Sequence, residues 1–378
     1  MLSCQDINLE ANSSLVPFND LKRGTVSIRA EIDAAISRVV SSGWFVLGPE
    51  HDALESELSE YLGVKHAINV GNGTDALELA LAAVGVKAGS QVVTVANAGA
   101  YTSTAALLLG AEPVYCDVDS KSLLMSVETL EATLASLPEK PQAIVVTHLY
   151  GALAPITKLV AVAHKHKIAI IEDCAQSLGA TVDGRRGGSF ADISTTSFYP
   201  TKNLGALGDG GAVFTDRDDL ADKVRRMRQY GWASKYSIEF SHGKNSRLDE
   251  IQAAILRVKL PMLDAQNERR RKIHSQYETA AHEGIALVNS TSESFIGHLA
   301  VVVSDKRDIA RASVEAAGVK TDVHYPIPDH RQKFPDFVPR AASLPVTEWA
   351  SASIFSVPLF PELEAREVDV ITEALSNC

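Results

Sequence analysis

Between residues 67 and 215 short apolar, β-branched runs alternate with stretches of helical period. Ala67–Val70, Gln91–Ala96, Pro113–Val118, Ala143–Thr147 and Ile168–Glu172 read as strands. Ala76–Val84, Thr102–Leu109, Val127–Leu137 and Ile156–His166 read as the helices between them, and shorter strands follow near Ile193–Phe198 and Ala212–Thr215. Strands apolar on both faces and joined by helices belong to a mostly parallel sheet covered by helices on both sides. The fold class is therefore α/β, and ligands of such sheets bind at the carboxyl ends of the strands.

The flanking regions complete the layout. Residues 1–26 read as an arm, and Ser27–Ser42 and His51–Leu62 as amphipathic helices. Leu220–Tyr230, Ser246–Leu263 (ending at Pro261) and Asn267–Ala281 are further helices. From Gly284 the pattern changes to strands at Ala286–Val288 and His298–Val303, a helix at Asp308–Ala317 and a proline-rich stretch, Tyr325–Pro339. This predicts an arm (1–26), a large domain (27–263) and a small C-terminal α+β domain (264–378).

A net charge of −11 argues against nucleic acid or an acidic membrane as partner. Cys4, Cys116, Cys174 and Cys378 have neither disulfide nor metal spacing, so reduced thiols, no metal and a cytoplasmic setting are expected. The N-terminus lacks the charged and apolar regions of a signal peptide. Val92–Ala111 is uncharged but holds Asn97 and two glycines, and reads as strand, loop and helix rather than a membrane span.

Thr195–Gly211, TTSFYPTKNLGALGDGG, carries one lysine, Lys202, among glycines. A desolvated lysine can form a Schiff base, and the glycines would leave room for a cofactor beside it; the plain alternative is a surface loop. Gly71–Asp75, between strand and helix, offers helix-start amides plus Thr74 for a phosphate, or is an ordinary capped turn. Asp173, with Gln176 after it, ends an apolar strand. A carboxylate there can hold a ring nitrogen protonated, or cap a helix. Tyr101 follows the next strand and could stack on a flat ring, and His148 could line the same crevice. Together a phosphate cup at Gly73 and Thr74, an aromatic face, a carboxylate, the hydroxyl of Ser197 and a lysine meet the needs of pyridoxal 5'-phosphate. There is no GxGxxG, which disfavours a nicotinamide oxidoreductase.

VGNGTDALELAL, IIEDCAQSLGA, SFYPTKNLGALGDGGAV, NSRLDEIQAAIL and HYPIPDH resemble the DegT/DnrJ/EryC1/StrS sugar aminotransferases over nearly the whole chain. The resemblance implies a fold-type-I enzyme with Lys202 as the Schiff-base lysine, Asp173 on the pyridine nitrogen and Gln176 near the ring hydroxyl. It implies Gly73, Thr74 and Ser197 on the phosphate and Tyr101 on the ring face. It implies Asn245 reaching the neighbouring subunit's phosphate, hence a homodimer with shared sites. Lysine rather than histidine at 202 favours transamination over dehydration. L-glutamate would be the amino donor and a nucleotide-linked ketosugar the acceptor. SGWFVLGPE and VHYPIPDH are most similar to members that aminate the 3-keto position of dTDP-6-deoxyhexoses. Lys235, Tyr236, Arg247 and His330 are candidate substrate contacts, or ordinary surface residues. A C4-aminating enzyme, a dehydrase and a cofactor-binding regulator without turnover are the alternatives.

Overall fold

In the computed structural model, residues 15–335, 337 and 343–378 are described; part of the expected arm, Cys4 and part of the proline-rich stretch lie outside them. Helices α1 (Leu21–Ser27), α2 (Arg29–Ser42) and α3 (Pro49–Leu62) come first. The α1 helix falls within the stretch read as an arm, and starts where Asp20 accepts the amides of Lys22 and Arg23.

The main sheet has seven strands, in the order β1-β9-β8-β5-β4-β2-β3. They are β1 (His66–Val70), β2 (Gln91–Val95), β3 (Glu112–Cys116), β4 (Ala143–Thr147), β5 (Ala169–Asp173), β8 (Ile193–Ser197) and β9 (Gly211–Thr215). A small hairpin of β6 (Thr181–Val182) and β7 (Arg185–Arg186) lies between β5 and β8 in sequence. The run from β3 to β8 is parallel, and β9 pairs antiparallel with both β8 and β1. Helices α4 (Gly73–Ala83), α5 (Tyr101–Leu108) and α8 (Asp218–Met227) pack Leu79, Ala105 and Val224 against one face. Helices α6 (Val127–Ser136) and α7 (Ile156–Lys165) pack Leu130 and Leu159 against the other. The uncharged stretch Val92–Ala111 spans β2 and α5, and among the described residues no helix is long and apolar enough to cross a membrane.

After the hairpin β10 (Trp232–Ser234) and β11 (Ser237–Ile238), α9 (Glu250–Lys259) runs through a 3-10 turn at Leu260–Met262 into α10 (Leu263–Glu278). Pro261 was expected to stop a helix. It sits instead in the first turn of a new one, where its missing N–H leaves no bond unmade. A second, antiparallel sheet of β12 (Ala286–Leu287), β13 (Ala300–Val303) and β14 (Ile354–Val357) follows. It shares a core with α10, α11 (Arg307–Ala316) and α13 (Ala365–Ser376) through Tyr277, Val302, Val314, Phe355 and Ile371. Helix α12 (Pro345–Ser353) leads into β14.

Candidate active site

The carboxyl ends of β5 and β8 lie side by side, with Asp173 registered against Thr195. Asp173 is buried at the tip of β5 and accepts the Ala175 amide at 3.0 Å. Burial raises its carboxyl, an effect partly offset by that amide and by Lys202. Past Ser197 the chain leaves β8 and returns as β9, and Ser197 pairs with Gly211 at the mouth of this excursion. Within it, the Lys202 amide donates to Tyr199 O and the Ala206 amide to Phe198 O, each at 2.8 Å. Burial lowers the Lys202 amine to about 8, against the pull of Asp173. At pH 7.5 roughly a quarter of such an amine is neutral, against about one in a thousand for an ordinary lysine. The rate at which Lys202 in cofactor-free protein captures pyridoxal phosphate should therefore rise with pH through about 8. Borohydride trapping across a pH series measures this, because only the deprotonated amine attacks.

The glycines of this loop differ from expectation. A side chain at Gly205 would drive its Cβ into Pro200 O, so this glycine lets the loop fold on itself rather than making room for a cofactor. Gly73 does face the site: its Cβ would lie 2.6 Å from Ser197 Cβ, so only glycine lets the α4 N-terminus approach the tip of β8. Asn72 Oδ1 caps that helix by accepting the Asp75 amide at 2.8 Å. The Gly73 and Thr74 amides, in the first helical positions, have no acceptor within the helix and carry its positive end. Gly73→Ala should lower stability by about 1–3 kcal/mol and weaken cofactor retention, measured by thermal unfolding and equilibrium dialysis.

Gly73, Thr74, Tyr101, Asp173, Gln176, Ser197 and Lys202 all line one cavity of about 570 Å³. Gln176 is held at both ends, accepting the Tyr150 amide at 2.7 Å and donating to Tyr325 Oη at 3.1 Å. Tyr101 opens α5 and meets Tyr325 edge-on, with ring centroids 6.3 Å apart. That helix start is pinned by Asp329, which accepts the Ala100 amide at 2.9 Å and the Ser103 hydroxyl at 2.7 Å. Burial pushes the Asp329 carboxyl up to about 6.

Other walls come from residues that sequence reading did not assign to the site: Phe18, Asn19, His298, Asp322, His324 and Tyr325. His324 stacks on Phe18 at 5.6 Å and shares a hydrogen bond with Ser356 Oγ through Nδ1 at 2.9 Å. Only HYPIPDH carried a local signal, for His324 and Tyr325.

Two expectations are corrected. His148 does not line the cavity. It lies fully buried beneath the sheet, where Nδ1 accepts the Ala154 amide at 3.1 Å and the protonated Nε2 donates to Glu172 at 3.0 Å. Glu172 also accepts the amides of Gly188, Phe190 and Ala191, so the pair anchors the loop before β8. His330 likewise turns away, to Glu348 at 3.0 Å; its neighbour Asp329 supports the site. His148, Glu172 and Cys174 are the one group among the described residues with ligand atoms close enough for a metal, within 4.8 Å. Both His148 nitrogens and both Glu172 oxygens are already engaged, and burial keeps the Cys174 thiol protonated. Asn245, Arg247, Lys235 and Tyr236 do not line this chain's cavity. Asn245 is exposed in a bridge to Gln229, and Lys235 and Tyr236 form the turn of the β10–β11 hairpin.

The model of the DegT/DnrJ/EryC1/StrS aminotransferase family matches residues 26–376. The chain belongs to this family. A relative from Pseudomonas aeruginosa, UDP-2-acetamido-2-deoxy-3-oxo-D-glucuronate aminotransferase, is 37% identical over 96% of this chain and 100% of its own. The dTDP-3-amino-3,4,6-trideoxy-alpha-D-glucose transaminase of Streptomyces venezuelae is 38% identical, over 96% of this chain and 97% of its own. The crystal structure of S. venezuelae DesV in complex with a ketimine intermediate superposes with a TM-score of 0.91 at 37% identity. It covers 96% of this chain and 98% of that one. The cofactor of this aminotransferase is pyridoxal phosphate, and the cavity fits it. The open α4 amides with Thr74 and Ser197 suit a phosphate, Asp173 suits a pyridinium nitrogen, and Lys202 supplies a low-pKa amine.

Proposed function

We propose that this aminotransferase moves an amino group from L-glutamate to the 3-keto position of a dTDP-linked 6-deoxyhexose. The observation that carries the reading is the pairing of the depressed Lys202 amine with buried Asp173 in one cavity. Pyridoxal phosphate, when bound, supplies the electron sink for the α-carbon's electrons. Lys202 would hold the cofactor covalently until an amino donor displaces it. Its freed amine would then be the base that takes the proton from the donor's α-carbon, and the acid that returns a proton to the sugar carbon. Asp173 would keep the ring nitrogen protonated. Gly73, Thr74 and Ser197 would bind the phosphate, Gln176 the ring edge and Tyr101 the ring face.

Two relatives' names support the 3-position, since one is a 3-oxo-sugar aminotransferase and the other makes a 3-amino sugar. They differ in nucleotide, UDP against dTDP. The motifs SGWFVLGPE and VHYPIPDH favour dTDP. We assign residues 27–263 and 264–378 to the large and small domains of a cytoplasmic homodimer. Asn245, and with it Lys235, Tyr236 and Arg247, would then reach the partner's site. The exposure of Asn245, Lys235 and Tyr236 here supports that arrangement. The test is a panel of UDP- and dTDP-linked 3- and 4-ketosugars assayed with glutamate, the product position being read by NMR. Amination at C3 of a dTDP sugar is expected. Amination at C4, or cofactor binding without turnover on any member of the panel, would overturn the reading.

A further inference from the structure

Helix α4 carries two carboxylates that the cofactor site does not account for, Asp75 in its first turn and Glu78 about one turn further on. Lys244 Nζ donates to Asp75 Oδ1 at 2.7 Å and to Glu78 Oε2 at 2.6 Å. Both carboxylates are largely buried. Burial lowers the Lys244 amine, but Asp75 and Glu78 more than offset it and keep it charged. The lysine reaches them from a fixed backbone. Its amide donates to Met227 O, at the end of α8, at 2.8 Å, and its carbonyl accepts the Tyr230 amide at 3.0 Å. Two residues on, Ser246 Oγ accepts the Gly71 amide at 3.0 Å, just before the helix. None of the three charged side chains lines the cavity, whereas Asn72, Gly73 and Thr74 do.

Asp75 directly follows the amides that suit a phosphate. A carboxylate in the first turn of a helix is drawn to the free amides and positive charge there, so it competes with any other anion for them. Here Asp75 Oδ1 goes to Lys244 instead, and among the described residues no acceptor takes the Gly73 or Thr74 amide. We propose that Lys244 is a positioning residue for the cofactor phosphate: it holds the Asp75 carboxylate off the α4 amides and offsets its charge, leaving those amides to the phosphate. Lys244 thus acts through Asp75, from behind the cavity wall. The inference rests on the reading of the α4 start as the phosphate site of bound pyridoxal phosphate.

The test uses the full chain, stripped of cofactor, and compares the dissociation constants of pyridoxal phosphate and pyridoxal by equilibrium dialysis at low ionic strength, where charge effects are least screened. Pyridoxal keeps the ring and aldehyde but lacks the phosphate, so a general loosening of the site weakens both ligands. In Lys244→Met, pyridoxal phosphate should bind about tenfold more weakly, the scale of one uncompensated charge at a helix start facing a dianion, while pyridoxal changes less than about twofold. Adding Asp75→Asn to Lys244→Met should recover most of the loss, since asparagine keeps the shape but not the charge. Equal losses for the two ligands, no loss for either, or a double variant no better than the single one overturns the proposal. Should Lys244→Met fail to fold by circular dichroism, Asp75→Asn in the otherwise wild-type chain should tighten pyridoxal phosphate alone; no gain there, or a gain shared by pyridoxal, also overturns it. Wild-type protein that binds the two ligands equally well would instead defeat the reading of the α4 start as the phosphate site.

Discussion

Replacement of Lys202 by alanine is expected to abolish covalent capture of the cofactor and to cut turnover by at least about 10³-fold. Two roles end at once: the amine that holds the cofactor and the base that moves the proton, the second alone contributing about 10²–10⁴-fold. The walls at Gly73, Thr74, Ser197 and Asp173 remain, so pyridoxal phosphate should still bind, removable by dialysis and not fixed by borohydride. Added methylamine should recover part of the lost rate, as a small base that reaches the vacated space. Wild-type turnover in Lys202→Ala would sink the mechanism.

The second large effect is expected at Asp173. Asparagine keeps the side-chain shape and an oxygen for the Ala175 amide, but not the charge. Turnover should fall about 10²–10³-fold, the scale of losing one preorganised electrostatic partner, while Lys202 still captures the cofactor. A further sign follows from the cavity's electrostatics. Asp173 raises the Lys202 amine against the lowering effect of burial. Without the carboxylate, burial acts alone, and the pH midpoint of cofactor capture should move below about 8. A variant with lowered turnover and an unmoved midpoint would mean that Asp173 does not act on Lys202.

That Gly73, Thr74, Asp173, Ser197 and Lys202 line one cavity was legible because each belongs to a continuous motif at a strand end. Asp173 closes an apolar strand, Gly73–Thr74 opens a helix, and Ser197 and Lys202 flank one short loop. The same rule misled at His148, which also follows a strand but turns beneath the sheet to Glu172. Chain position gives the end of the sheet and not the direction of a side chain. In HYPIPDH the sequence pattern points to His330 and passes over its neighbour Asp329, since nothing local tells the residue that anchors the α5 start from one that turns to Glu348. Phe18, Asn19 and His298 had no signal at all. They reach the cavity from distant parts of the chain, and their flanking residues resemble those of any strand or loop. The glycines around Lys202 were legible as necessary but not as to purpose, because close backbone packing and open space leave the same mark in a sequence.

The pairing of Ser197 with Gly211, beside that of Asp173 with Thr195, separates invention from chemistry in this scaffold. Asp173 and the two ends of the loop that carries Lys202 are spaced by main-chain bonds of three adjoining strands. The opposite wall, Phe18, His324 and Tyr325, hangs on side-chain contacts that a few substitutions can redraw. New sugar preferences can thus evolve by changing that wall while the reacting pair keeps its place. Chimeras that exchange residues 284–378 between relatives should change which sugar is accepted before they change whether an amino group is transferred.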